Sequence, residues 1–201
     1  MYGSGLSGEF ITWALSQSLD NFAVGENHWE GARFKYTDAI GRSMYGGDSV
    51  IKVNEVLDRY RMFNENQSQA GEKHFVMLHP DPQNIQFVRE NFNTCPMIEI
   101  VNRKLSSQTF QHLGRQKITQ DDIKNSGASF IPNFGLKPYR KVYNALDHLE
   151  IEWEDLILTN TNQVLENVSK FVDGLIDVSI FNRLLNDYKK RNQSYLNSIK
   201  I

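Results

Sequence analysis

The stretch LEIEWEDLILTNTNQVLENVSKFVDGL, residues 149–175, contains the clearest succession of secondary structure in the chain. Its first residues predict a strand over 149–153, and apolar positions at helical spacing predict a helix over 161–172. The Trp-Glu-Asp sequence at 153–155 joins the two elements. There we expect a structural role, in which the aromatic ring packs and a carboxylate caps the following turn. A strand that leads directly into a helix is the repeating unit of an α/β fold.

The same alternation of strands and helices extends through the rest of the chain. Two short apolar runs predict further strands at 75–79 and 97–101, of the composition expected of strands buried on both faces. Helical spacing predicts helices at 8–22, 53–63, 83–92, 104–114, 138–147 and 177–198, while short strands are expected around Trp29, Phe34 and Tyr36 and a long surface loop at 115–138. This order predicts the α/β class, with a parallel sheet of four or five strands between helices in a three-layer sandwich. In such a fold the ligand binds beyond the carboxyl ends of the strands.

Length and composition limit the classes of protein that fit. The 201 residues, of which 40 % are apolar and 23 % charged, predict one domain spanning residues 1–201. A net charge of −2 gives no general attraction to nucleic acid or an anionic membrane, so any anion must be held by a local site. The single cysteine, Cys95, fits a reducing compartment, and no apolar run approaches the about 18 residues of a membrane span. We therefore expect a cytoplasmic protein, and the sequence leaves its oligomeric state open.

The opening residues MYGSGLSGEF raise the question of an anion-binding loop. Glycines directly before a helix that starts at Gly8 allow the amide groups of residues 5–10 to converge on an anion. The stretch is not GxxxxGK[ST], because it lacks the lysine and the metal-binding hydroxyl of that motif, and this disfavours a kinase or NTPase. A flexible start capped by Ser7 is the alternative interpretation.

Three further stretches follow the opening loop in an informative order. HFVMLHPDP (74–82) ends a predicted strand with His79-Pro80, MIEIVNRKLSSQTFQHL (97–113) runs from a strand into Arg103, and the stretch 149–175 comes last. This succession resembles the sulfotransferases that use 3′-phosphoadenosine 5′-phosphosulfate (PAPS). The resemblance implies a P-loop-like sulfotransferase fold that moves a sulfuryl group from PAPS, as co-substrate, to a hydroxyl or amine. The acceptor would be a small molecule or a glycan, and no metal is required.

The resemblance also implies roles for particular residues. His79 matches the general base that takes the proton of the acceptor hydroxyl, and Arg103 matches the arginine that pairs with the 3′-phosphate. The implied cofactor-binding residues are Gly5, Leu6, Ser7, Gly8, Glu9, Phe10, Arg103 and Gln111. Gln111 stands where the family has a serine, and the family has a strand before the loop, so the chain is expected to be truncated at its start.

Three functions remain open at the level of sequence. Leu6, Glu9 and Phe10 replace the family's basic and hydroxyl-bearing loop residues, which favours a sulfotransferase-fold binding module that has lost PAPS chemistry. A nucleotide or nucleoside kinase is the third and weakest candidate. The histidines show no metal-ligand spacing with one another or with Cys95, so the sequence predicts no zinc. The basic run 189–191 is interpreted as cations at a helix C-terminus, where the helix dipole favours them.

Overall fold

The computed structural model describes part of the chain, namely residues 7–31, 33–37, 73, 75, 90, 96–101 and 148–197. This part is mixed α/β, with a small parallel sheet, a two-stranded antiparallel sheet and helices. Its elements in chain order are α1 (Gly8–Ser18), β1 (Glu26–Glu30), β2 (Arg33–Thr37), β3 (Met97–Val101), β4 (His148–Glu152), a π-helical turn (Asp155–Thr159), α2 (Thr161–Val172), α3 (Val178–Arg191) and α4 (Gln193–Leu196).

The parallel pair β3–β4 confirms the parallel arrangement predicted for these two strands. Their register sets Met97 opposite His148 and Val101 opposite Glu152. The strand predicted at 97–101 has the predicted bounds, whereas β4 lies one residue earlier than the predicted 149–153 because the chain is already helical at Trp153. Side chains alternate between the two faces of a strand, so β3 and β4 place isoleucine and leucine on one face and mainly polar side chains on the other.

Helix α1 begins at Gly8 as predicted but ends at Ser18, four residues before the predicted end at 22. Leu19 is extended, with φ −95° and ψ 136°, and Asn21 adopts a left-handed φ of 58°. Apolar side chains continue beyond the helix because the extended backbone also buries them: Leu19 forms a β-bridge with Ile176. The spacing of apolar residues in the sequence therefore reflects burial, which continues past the end of the helix.

The short strands expected around Trp29, Phe34 and Tyr36 form the antiparallel hairpin β1–β2. Gly31 lies in its turn with φ 62°, a left-handed conformation that suits glycine. Helix α1 packs on β2 and on α3, and Phe34 and Tyr36 are buried in the same core as the buried residues of α1. The hairpin thus covers one side of α1.

The C-terminal part consists of helices that pack on β4 and on α1. Helix α2 has the bounds predicted for it, and it packs on β4 and the π-helical turn. The single helix predicted over 177–198 is divided at Asn192, whose side-chain amide donates to the Tyr188 carbonyl at 2.9 Å. The Asn192 backbone amide also donates to the Tyr188 carbonyl at 3.0 Å and to the Lys189 carbonyl at 3.2 Å, so the last turn of α3 tightens there. Asp177 caps the start of α3 by accepting from two backbone amides at 2.9 and 3.1 Å.

Several predicted elements lie outside the described residues. They are the helices at 53–63, 83–92, 104–114 and 138–147, the loop at 115–138 and the strand at 75–79, apart from the single positions Phe75 and Glu90. In the part of the chain that the structure describes, no helix has both the length and the apolar character needed to span a bilayer.

Candidate functional site

The start of α1 carries those of the predicted anion-binding residues that the structure describes, namely Ser7, Gly8, Glu9 and Phe10. Ser7 directly precedes the helix with φ 56° and ψ 26°, a left-handed conformation. Its side chain makes no capping hydrogen bond to the helix and instead hydrogen-bonds the hydroxyl of Tyr188. The alternative in which Ser7 caps the helix is therefore wrong. The leading amide groups of α1, which have no acceptor within the helix, therefore receive no cap from the Ser7 side chain.

The backbone at this point has the form of an anion-binding concavity. A left-handed residue followed by a right-handed one turns successive N–H groups toward a common point, and the positive end of the helix dipole adds to the attraction. Ser7 and Gly8 provide this sequence of conformations, and the first helical bond closes from the Ile11 amide to the Ser7 carbonyl at 2.9 Å. The arrangement is suited to a phosphate or sulfate group.

Phe10 holds the start of α1 in the core. Its side chain is 1 % exposed, stacks on Tyr188 with ring centroids 4.2 Å apart, and meets Phe34 edge to face at 5.8 Å. Phe10 can therefore contribute to an anion site only through its backbone amide. Glu9, in the same turn, carries a carboxylate that the helix dipole attracts to the same end of the helix.

The C-terminal turn of α3 lies against the start of α1 through Tyr188. This residue hydrogen-bonds Ser7 and stacks on Phe10, and the basic run 189–191 follows it in the last turn of α3, as predicted. The Arg191 guanidinium lies 4.7 Å above the ring of Trp29 in a cation–π contact. Partial burial lowers the pKa of Lys189.

The remaining predicted site residues lie outside the part of the chain that the structure describes. They are Gly5, Leu6, His79, Arg103 and Gln111, whose roles stay predictions. The residues at 153–155 have surroundings that agree with a structural role: Trp153 is fully buried, and the Asp155 carboxylate accepts from the Thr159 hydroxyl at 3.0 Å.

The structure also brings together a group that the sequence prediction missed. Glu99 on β3 and His148 and Glu150 on β4, here called the Glu-His cluster, each present one ligand atom, and these atoms lie within 4.8 Å of one another. The His148 Nε2 and Glu150 Oε1 atoms are 3.9 Å apart. The sequence interpretation treated both strands as apolar. The signal was the alternation of glutamate with apolar residues in MIEIV and HLEIE, which places the acidic side chains on one face.

No model of a known protein family matches the chain, and no match was found among curated proteins or solved structures. The function is therefore argued from the residues themselves and from their geometry.

Proposed function

We propose that this protein is a cytoplasmic member of the PAPS-dependent sulfotransferase class, with the P-loop-like fold that such proteins share. The geometry at the start of α1 carries the proposal. A left-handed Ser7, a helix that begins at Gly8 and the lack of a Ser7 cap leave the first-turn amides oriented for an anion. The order of the four sequence segments and the mixed α/β architecture with a parallel β3–β4 pair also support the proposal.

The proposed reaction is a direct transfer of the sulfuryl group. The acceptor oxygen or nitrogen forms a bond to sulfur while the bond from sulfur to the phosphate oxygen breaks, and adenosine 3′,5′-bisphosphate leaves with the bonding electron pair. His79 removes the acceptor proton, and the Arg103 guanidinium pairs with the 3′-phosphate. The amides of residues 5–10 hold the 5′-phosphosulfate. No metal-bridged triphosphate takes part, so the missing lysine of the nucleotide-binding motif is not required.

A binding module of the same fold is the second candidate, because Glu9 occupies the first turn of α1. A carboxylate at this point competes with a bound anion for the same positive potential. A protein with this feature would keep the architecture and lose PAPS chemistry.

The first test is calorimetric titration with adenosine 3′,5′-bisphosphate in the absence of Mg²⁺. The natural chain should bind, and Glu9→Thr should bind more tightly because it removes the competing charge. Glu26→Thr is the matched control, since Glu26 is an exposed glutamate on β1 away from the helix start. Binding by Glu9→Thr alone would favour the binding module. Binding of ATP that requires Mg²⁺ would favour a kinase. If neither the natural chain nor Glu9→Thr binds the bisphosphate, the proposed anion site is rejected.

Two substitutions test the roles implied for residues outside the described part of the chain. Arg103→Ala should weaken bisphosphate binding by about 1–3 kcal/mol if its guanidinium pairs with the 3′-phosphate. His79→Ala should still bind bisphosphate but lose about 10²–10⁴-fold in turnover, because only proton transfer is removed. Unchanged affinity in the first variant or unchanged turnover in the second would remove that residue from the site.

A further inference from the structure

We propose that the Glu-His cluster is a binding site for a divalent transition-metal ion, with Zn²⁺ as its best-matched occupant. The proposal is independent of the anion site at α1. It begins with register: Glu99 and Glu150 are Cα partners across the parallel strands, so their side chains extend from the same face. His148 precedes Glu150 by two positions on β4 and therefore shares that face. Backbone pairing thus fixes which three side chains meet.

The separation of the donor atoms is close to that of a metal site. The three atoms lie within 4.8 Å of one another, whereas donors bound to zinc at its usual bond lengths are about 3.5 Å apart. Small rotations of side chains close this difference without movement of the strands. An imidazole nitrogen with two carboxylate oxygens forms a mixed donor set that suits Zn²⁺ better than Mg²⁺ or Ca²⁺, which prefer oxygen alone.

Burial and charge add a second and independent argument. Glu99 is 3 % exposed, and its register partner is another glutamate. Two carboxylates that lie close together attract a cation more strongly than either does alone, and the attraction is greater where one of them is removed from water. A bound metal ion lies at the point where the carboxylates and the imidazole of His148 converge.

The hairpin contains the same sequence pattern without these features. His28 and Glu30 lie two positions apart on β1, with Nε2 and Oε1 3.3 Å apart, but their side chains are 64 % and 55 % exposed. Their register partners are Lys35 and Arg33, which are basic. The pair therefore has no acidic partner in register to complete a ligand set. It provides a natural negative control within the same chain.

A metal in the cluster would join β3 to β4, which are separated in sequence by residues 102–147. A metal ion that links two distant segments stabilises a fold, because it lowers the conformational entropy of the unfolded chain more than that of the folded chain. We therefore assign the site a structural role and expect metal binding to raise the thermal midpoint of unfolding.

The test is a titration of the full chain, first freed of metal with a chelator, with ZnCl₂. Calorimetry should show a zinc site, and Co²⁺ in its place should give visible absorption bands that report the ligand set. His148→Gln and Glu150→Gln should each weaken zinc binding by at least about tenfold, because loss of even an outer partner of a metal ligand commonly costs that much. Neither side chain is fully buried, so both variants are expected to fold.

Two control substitutions test whether a loss of zinc affinity is specific to residues of the Glu-His cluster. Glu152→Gln alters a glutamate on the same face of β4 that lies opposite Val101, and His28→Gln alters the pair on the hairpin. Both should leave zinc affinity within about twofold of the natural chain, since neither side chain belongs to the group whose ligand atoms lie within 4.8 Å of one another. The proposal is overturned if the natural chain binds no zinc, if neither cluster variant loses affinity, or if the controls lose it equally. Circular dichroism of each metal-free variant separates loss of a ligand from loss of the fold.

Discussion

The start of α1 offers backbone N–H groups to a ligand, whereas the Glu-His cluster offers carboxylate oxygens and an imidazole. The first arrangement suits an anion and the second a cation. They are also encoded differently. The proposed anion site comes from neighbouring residues at a turn into a helix, and the cluster comes from residues on two strands that only pairing in register brings together. A contiguous motif can be found in a sequence, but a site that depends on register becomes visible only with the fold.

The two sites also have separate supports in the core, which allows each to be disturbed without the other. Aromatic stacking of Phe10 on Tyr188 fixes the start of α1 against α3. The cluster depends on the pairing of β3 with β4, whose opposite face buries Ile100 and Ile151 as register partners, 4 % and 3 % exposed. Substitutions in these two supports should therefore have opposite effects on the two ligands.

The largest expected effect comes from Phe10→Ala. Removal of a fully buried aromatic ring should lower the free energy of unfolding by about 3–5 kcal/mol, since it leaves a cavity and ends the stacking on Tyr188. In the fraction that remains folded, bisphosphate binding should fall while zinc affinity is kept. Chemical denaturation measures the first effect and calorimetry the second. Gln17→Ala, at an exposed position of the same helix, should have a free energy of unfolding within about 0.5 kcal/mol of that of the natural chain. Equal loss of both ligands would contradict the independence of the two sites.

Ile151→Ala applies the converse disturbance. The loss of a buried side chain behind the cluster should lower the free energy of unfolding by about 2–5 kcal/mol. Because Ile151 lies between His148 and Glu152 on β4 and faces away from the cluster, weaker strand pairing should reduce zinc affinity and leave the anion site unaltered. Denaturation with a chelator present separates the effect on the fold from the effect on the metal. Unchanged zinc affinity would mean that the cluster does not depend on the pairing of β3 with β4.

The sequence predicted regular elements well where the pattern was long and local. Strand 97–101 and helix 161–172 have their predicted bounds, because the first is a mainly apolar run that starts after Pro96 and the second has apolar residues at helical spacing. The ends of α1 and α3 were harder to place. Leu19 remains buried after α1 ends, and α3 ends before Asn192, whose side chain and backbone amide both donate to the Tyr188 carbonyl. Neither event changes the hydrophobic period on which the prediction relied.

The same distinction holds for the candidate sites. Ser7 and Gly8 were identified from adjacent residues, and the helix does start at Gly8. The orientation of the Ser7 hydroxyl was not predictable, because its partner Tyr188 lies at the opposite end of the chain. For the cluster, the sequence search considered histidine and cysteine spacing, whereas two of the three potential ligands are glutamates placed by strand register.

A smaller effect is expected from the hydrogen bond between Ser7 and Tyr188. Ser7→Ala and Tyr188→Phe each remove one hydroxyl and should cost about 0.5–1.5 kcal/mol in the free energy of unfolding. The double variant should cost less than the sum of the two, because the hydroxyls act on each other. Tyr188→Phe should also weaken bisphosphate binding, since the hydroxyl of Ser7 would then no longer be held away from the helix end by Tyr188. A strictly additive double variant would show that this contact does not couple α1 to α3.

The smallest effect concerns Lys189, in the basic turn that follows Tyr188 and lies beside the proposed anion site. Burial lowers the pKa of this lysine below its ordinary value of 10.5, because desolvation disfavours the charged form. Well below the lowered pKa both states carry the charge, so the folded state alone bears the desolvation penalty, and that penalty disappears as both states lose the proton above 10.5. Lys189→Met should therefore increase the free energy of unfolding at about pH 8, by no more than about 0.5 kcal/mol, and the gain should shrink toward about pH 11. Lys190→Met removes the same charge from an exposed position in the same helical turn, and comparison with it corrects for the general loss of charge and of the dipole interaction. The explanation is contradicted if the gain in the free energy of unfolding grows with pH, or if it equals that of Lys190→Met throughout. Either outcome would show that burial does not disfavour the charge of Lys189, so that the basic turn attracts an anion to the start of α1 with its full charge.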